Sequence, residues 1–178
     1  YAMAQFYLAS MYSKGLGVLQ DYKQAVKWYR KAAEQGYAKA QHNLALAYAD
    51  GKGVLQDYKQ ALKWYRKAAE QGNDRAQSNI GYMYDTGKGV TQDYKQAVKW
   101  YRKAAEQGNF IAQYSLGNMY IRGQGVTQDY VLAHMWSNIA ASAGYENAVN
   151  NRDRVAKKMS ISQIEKAQNM AREWMAKH

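Results

Sequence analysis

Few side chains in this sequence could do chemistry, and they do not gather. The three histidines, His42, His134 and His178, have no His–His spacing that would set two metal ligands on one face, and the chain has no cysteine. No metal and no cofactor is expected. No Ser-x-x-Lys or Gly-x-Ser-x-Gly offers a nucleophilic serine. The Gly-Lys-Gly runs at Gly51–Gly53 and Gly87–Gly89 invite a phosphate-loop reading, but a Walker loop needs Gly-x-x-x-x-Gly-Lys-Ser/Thr between a strand and a helix. Here the glycines follow helical segments, so turns are expected. His42 is expected to be a surface contact, and His134 a helix-surface or cap-interface residue. The side chains predict a protein that is not an enzyme.

What organises the chain is a repeat. DYKQAVKWYRKAAEQG at Asp21–Gly36 returns unchanged at Asp93–Gly108, and with Leu62 for Val at Asp57–Gly72. A degraded copy occupies Asp129–Gly144. Trp28, Trp64, Trp100 and Trp136 mark the period. A fixed period of this size means supersecondary units that bury their apolar faces against one another. With no proline and many alanines, the chain favours helix. Four units (1–36, 37–72, 73–108, 109–144) and a tail over 145–178 are expected. Tyr1 stands in phase with Tyr37, which predicts a start at a repeat boundary of a longer protein, with a periplasmic or secreted setting favoured over a cytoplasmic one.

The second unit shows the plan. Residues 38–49 form a helix that the glycines of Asp50-Gly-Lys-Gly-Val end by taking the left-handed conformation. Asp57 caps a second helix, with Gln60 completing an Asp-x-x-Gln capping box. Tyr58, Ala61, Leu62, Tyr65, Ala68 and Ala69 form one buried stripe. In the fourth unit the second helix loses its lysines and is apolar nearly all round, so it needs cover on a further side. The tail is expected to supply it: one helix over 146–156, then a Ser160–Gln163 capping box and a last helix to about Lys177, with Ile164, Ala167, Ala171, Trp174 and Met175 inward.

The net charge is +11, and the three good copies hold twelve Lys/Arg against six acids. Most of the aromatic residues are expected in the core rather than between the lysines. A solvated outer face is therefore expected, and nucleic acid is disfavoured; its sign would be binding that weakens steeply with salt. No apolar run reaches the roughly 18 residues that would span a bilayer.

The first helices divide into a copied face and an individual one. Positions 4, 5, 8, 9 and 12 hardly change between units; positions 3, 6, 7, 10, 13 and 14 differ in almost every unit. In a stack these variable faces line up into one surface. The candidate partner contacts are Met3, Phe6 and Tyr7 in the first unit; Lys39, His42, Asn43 and Leu46 in the second; Arg75, Asn79, Tyr82 and Asp85 in the third; and Ile111, Tyr114, Asn118, Ile121 and Arg122 in the fourth. Exposed aromatics flanked by cations are typical anchors.

In unit three Ala76, Ile80, Gly81, Tyr84, Gly87, Gly89, Val90, Asp93, Ala97, Trp100, Tyr101, Ala104, Ala105 and Gly108 resemble the pattern of the Sel1-like repeat family, relatives of the tetratricopeptide repeats; only Ile80, for Leu, departs. The resemblance covers residues 1–144. It implies an all-α, right-handed α/α superhelix of antiparallel helix pairs, with first helices on the concave wall and a C-terminal cap. It also implies an adaptor that binds a partner protein or peptide in the concave groove. Two alternatives follow from the same resemblance: an immunity protein that clamps a toxic bacterial enzyme, and an envelope hydrolase of the penicillin-recognising sort. The cysteine-rich branch of the family is excluded.

Overall fold

The computed structural model describes all residues, 1–178. It is an all-α solenoid of four helix pairs and a two-helix tail: α1 (Ala2–Lys14) with α2 (Tyr22–Glu34), α3 (Ala38–Asp50) with α4 (Tyr58–Glu70), α5 (Asp74–Thr86) with α6 (Tyr94–Ala105), α7 (Phe110–Arg122) with α8 (Tyr130–Ser142), then α9 (Glu146–Ala156) and α10 (Ile161–Lys177). From α1 to α9 each helix packs on the next, and α10 packs back on α8 rather than on α9. No helix is long and apolar enough to cross a membrane.

The small residues set the spacing. Ala40, Ala76 and Ala112 on the first helices are fully buried, as are Ala32, Ala68 and Ala104 on the second. Close approach then lets the larger side chains interlock, with Leu44, Ile80, Leu116 and Tyr101 sealed inside. The stripe expected on the second helix of unit two is buried, apart from half-buried Tyr58, and Trp64 joins it.

A polar seam runs through the same packing. Gln41, Gln77 and Gln113 are buried, and their amides donate to the carbonyls of Ala33, Ala69 and Ala105 in the preceding unit at 3.1–3.2 Å. Gln71 and Gln107 in turn donate to the side-chain oxygens of Gln41 and Gln77 at 2.8 and 2.6 Å. Gln41 and Gln77 therefore each tie their own helix pair to the pair before it, while Gln113 bonds only to the preceding pair. An amide buried without such partners would cost about 1–3 kcal/mol, so the seam fixes the register of stacking as well as its strength.

Two expectations are corrected at the second helices. The capping box of Asp57 is only half formed. Its carboxylate accepts from the Lys59 and Gln60 backbone N–H groups, but its own N–H already donates to the Tyr48 carbonyl at 2.9 Å, so the Gln60 side chain has nothing to cap. The same backbone bond recurs at Asp21, Asp93 and Asp129. Leu132 can therefore stand in the fourth unit where the others carry glutamine. Lysines and aromatics are also interleaved after all. Lys31, Lys67 and Lys103 place Nζ over the rings of Trp28, Trp64 and Trp100 at 4.5, 4.6 and 4.9 Å. The two positions are one helical turn apart (i, i+3), and each contact adds about 0.5–1 kcal/mol at an exposed site. Three arginines likewise lean on the next unit: Arg30, Arg66 and Arg102 donate to the hydroxyls of Tyr48, Tyr84 and Tyr120.

In the fourth unit the cap takes the place of the lysine roof. Trp136 is buried, and Trp174 of α10 meets its ring edge-on at 5.9 Å between centroids. The Ser160–Gln163 capping box is complete at the start of α10.

Candidate functional site

A groove of about 840 Å³ opens where α1, α3 and α5 lie side by side. Its lining includes Phe6, Tyr7, Lys39, His42, Asn43 and Arg75, all candidate contacts. Two smaller hollows adjoin it: one of about 220 Å³ that shares Asn43 and reaches Leu46, and one of about 490 Å³ that holds Leu46, Asn79 and Tyr82. The first helices of successive units thus share one continuous surface.

The candidate residues fall into two groups. Met3, Tyr7, Lys39, Leu46, Arg75, Tyr82, Ile111 and Arg122 are exposed. The others are at least half engaged inside the protein. Phe6 packs on Tyr29 and Tyr37, and Tyr114 packs edge-on against Tyr145 at 5.2 Å. Asn118 accepts from the Asn151 amide at 2.7 Å, and Ile121 packs on the second hydrophobic cluster. In the first and fourth units position 6 is thus largely a stacking position, because the first residue of the segment that follows (Tyr37, Tyr145) leans over it. Its variability reflects pairwise packing as much as surface. Met3, Asp85 and the five fourth-unit residues lie outside the groove and its hollows.

His42 belongs to the groove floor more than to its surface. Its Nε2 accepts from the Asn79 amide at 3.1 Å, and its Nδ1 lies 3.1 Å from the Asn43 side-chain oxygen. This pattern fits the neutral imidazole with the proton on Nδ1. Burial holds its pKa below the usual histidine value, and Arg75 pushes the same way; Asn43 and Asp74 oppose them. His134, a helix-surface or cap-interface residue by sequence, is buried on α8 with no partner for Nδ1. Burial, with Arg152 of α9, lowers its pKa too. Asp85 accepts from the Tyr101 hydroxyl at 3.4 Å, and burial raises its pKa. No three His, Asp or Glu side chains converge as a metal cage would require.

These shifts predict a pH dependence. Both histidines are neutral in the fold but take up protons in the unfolded chain near their ordinary value of about 6.5. The unfolded state therefore binds more protons, and stability falls as pH drops below about 6.5 towards the depressed native values. Asp85 acts oppositely and lower, between its raised value and the ordinary carboxylate range. Thermal unfolding should thus be flat from pH 8 to 7 and shift downward by pH 5.5. His134→Leu should be neutral or stabilising at pH 8, since it removes an unpaired buried nitrogen, and should shrink the acid loss. A wild-type midpoint unchanged between pH 7 and 5.5 would contradict this account.

The comparisons agree with this architecture. The family model described as "Sel1 repeat" matches residues 2–37, 38–73, 74–109 and 111–145. No curated protein matches the chain. Among solved structures, a protective antigen of uropathogenic Escherichia coli displaying an SLR fold is 41% identical, with a TM-score of 0.92 over 98% of this chain. This chain spans 38% of that protein's length. A Sel1 repeat protein from Oxalobacter formigenes is 37% identical, with a TM-score of 0.82, covering 97% of this chain and 71% of its own. Helicobacter pylori cysteine rich protein B shares the fold, at 24% identity and a TM-score of 0.59 over 74% of this chain and 94% of its own. Four family matches in register, on a solenoid whose helices superpose on those of two sequence relatives, show that the chain belongs to the Sel1 repeat family, whose members are generally protein–protein interaction scaffolds.

Proposed function

We propose that this protein is a non-enzymatic interaction module, and that its concave groove holds an extended segment or a protruding element of a partner protein. The observation that carries this reading is the division of labour on the first helices. Positions 4, 5, 8 and 9 are buried in stacking in units two to four, while Tyr7, Lys39, Leu46, Arg75 and Tyr82 stay exposed beside one groove. Large apolar side chains left exposed together on a concave wall are the usual anchors of a protein contact. Tyr7, Leu46 and Tyr82 would be those anchors. Asn43, Asn79 and His42 form the hydrogen-bonded floor, and Lys39 and Arg75 set polarity. Met3, Ile111 and Arg122, exposed on the same helix faces, would extend the contact surface, with Asp85 and Ile121 beside it.

The test is a triple variant, Tyr7→Ala, Leu46→Ala and Tyr82→Ala. These side chains are exposed, so circular dichroism and the unfolding midpoint should stay close to wild type. Proteins captured from a lysate of the source cells by wild type should be reduced at least about tenfold with the variant, the cost of losing one or more anchors of about 1–2 kcal/mol each. A folded triple variant that captures the same proteins in the same amount would reject the groove as the binding surface.

A further inference from the structure

The groove has a one-sided charge. Lys14, Lys39 and Arg75 line it, and none of these side chains makes an ion pair or a hydrogen bond within the protein. The only carboxylate on the same lining, Asp74, is occupied by the Asn109 amide at 2.8 Å. The 490 Å³ hollow beside it adds Lys52 and Lys88. Lys52 pairs with Asp50 at 3.3 Å, but Lys88 is held only by tyrosines: it donates to the Tyr82 hydroxyl at 3.0 Å and sits over the rings of Tyr82 and Tyr58 at 5.0 and 5.6 Å. Five cations thus face two carboxylates, both already engaged. Unpaired like charges around one concavity repel one another, and a wall of low dielectric concentrates their field on whatever enters.

The apolar part of the lining lies between the cations. Phe6, Tyr7 and Met11 stand beside Lys14 and Lys39, and Leu46, Tyr82 and Met83 lie next to Lys88. An occupant that neutralises the cations must therefore also bring at least one apolar side chain. At the usual interhelical spacing of about 8–10 Å, crossing three first helices takes roughly 20 Å. That is about six residues of extended chain at about 3.3 Å each.

We infer that the groove takes an extended acidic peptide segment, with carboxylates at Lys14, Lys39 and Arg75 and an apolar side chain in the hollow between Leu46 and Tyr82. This deepens the reading of the groove as the binding surface and rests on it. The outer face competes as an anion site, since Lys95, Lys99, Arg102 and Lys103 also cluster there. The hollow there, about 450 Å³, includes Glu106 and only Val98 and Val126 as apolar side chains, and the tryptophans of the outer face are roofed by lysines of their own helix.

The probe is a fluorescein-labelled decapeptide of glutamates with a central leucine, followed by fluorescence anisotropy, with a lysine-for-glutamate peptide as control. The glutamate peptide should bind at about 50 mM salt and weaken at least about tenfold by about 300 mM, where the screening length has shortened more than twofold. Lys39→Glu with Arg75→Glu should weaken it at least about tenfold, and Lys39→Gln with Arg75→Gln by a smaller factor. Both pairs are exposed, so their fold is checked by the unfolding midpoint. Lys63→Glu with Lys99→Glu on the outer face should leave binding unchanged. The inference is overturned if the glutamate peptide fails to bind, if the lysine peptide binds as well, or if only the outer-face pair matters, which would mark a generic polyanion site. If the peptide fails but the Tyr7, Leu46 and Tyr82 triple variant still loses its captured partner, the acidic class falls and the groove reading stands. If that variant loses nothing, both fall.

Discussion

Gly53→Ala should unstack the second unit from the first, at a cost of about 3–5 kcal/mol, near the upper end for a single substitution. Gly53 has a φ of 76°, and a Cβ placed there would overlap the Tyr22 carbonyl, so the obstacle is backbone that no rotamer change can clear. Gly89 and Gly125 make the same approach to Tyr58 and Tyr94. In units two to four the second glycine of the turn is therefore where a loop touches the start of the preceding unit's second helix. Gly72→Ala is the control. Its φ of 84° is equally left-handed, but a Cβ there meets nothing within 4 Å, so only the conformational cost of about 1–2 kcal/mol applies. At roughly 2–4 °C per kcal/mol for a chain of this size, the two midpoints should separate by about 5 °C or more. Equal shifts would show that the close approach carries no stability.

Trp136→Ala should release the cap. Trp136 is 7% exposed and faces Trp174, whose other side stacks on His178 at 4.2 Å. Truncating a buried tryptophan costs about 3–5 kcal/mol through lost contacts and the cavity left behind. Because each unit of a solenoid is held only by its neighbours, the loss should be local. Hydrogen exchange should show α9 and α10 losing protection while α3 to α5 keep theirs. Trp28→Ala, at the same place in the first unit, should cost clearly less, since that ring is half exposed beneath Lys31. Uniform loss of protection along the chain after Trp136→Ala would argue against a separable cap.

The helices and their order were legible because the period repeats the same local signals. The bounds expected for the tail, 146–156 and a last helix to Lys177, are those of α9 and α10. The capping box at Ser160 was legible because both partners lie within four residues. The box at Asp57 was misjudged because its N–H is taken by Tyr48, nine residues back, through a turn whose path the sequence does not display. The candidate site was legible as a set of variable positions, but not as a surface. Phe6 and Tyr114 vary for the same reason as Leu46 and Tyr82 on a helical wheel. Only the next unit's first residue separates the two kinds, by covering one and leaving the other bare.

The stretch DYKQAVKWYRKAAEQG by itself determined the period, the second helices and the buried alanine and tyrosine stripe, because those depend on spacing within one turn or two. The tertiary structure decided what lies between units. It set the glutamine seam, the contact at Gly53 and the choice of which variable side chains remain exposed. Each of these joins residues 30 or so apart or sets a side chain's direction, and stacking geometry alone brings such groups within reach.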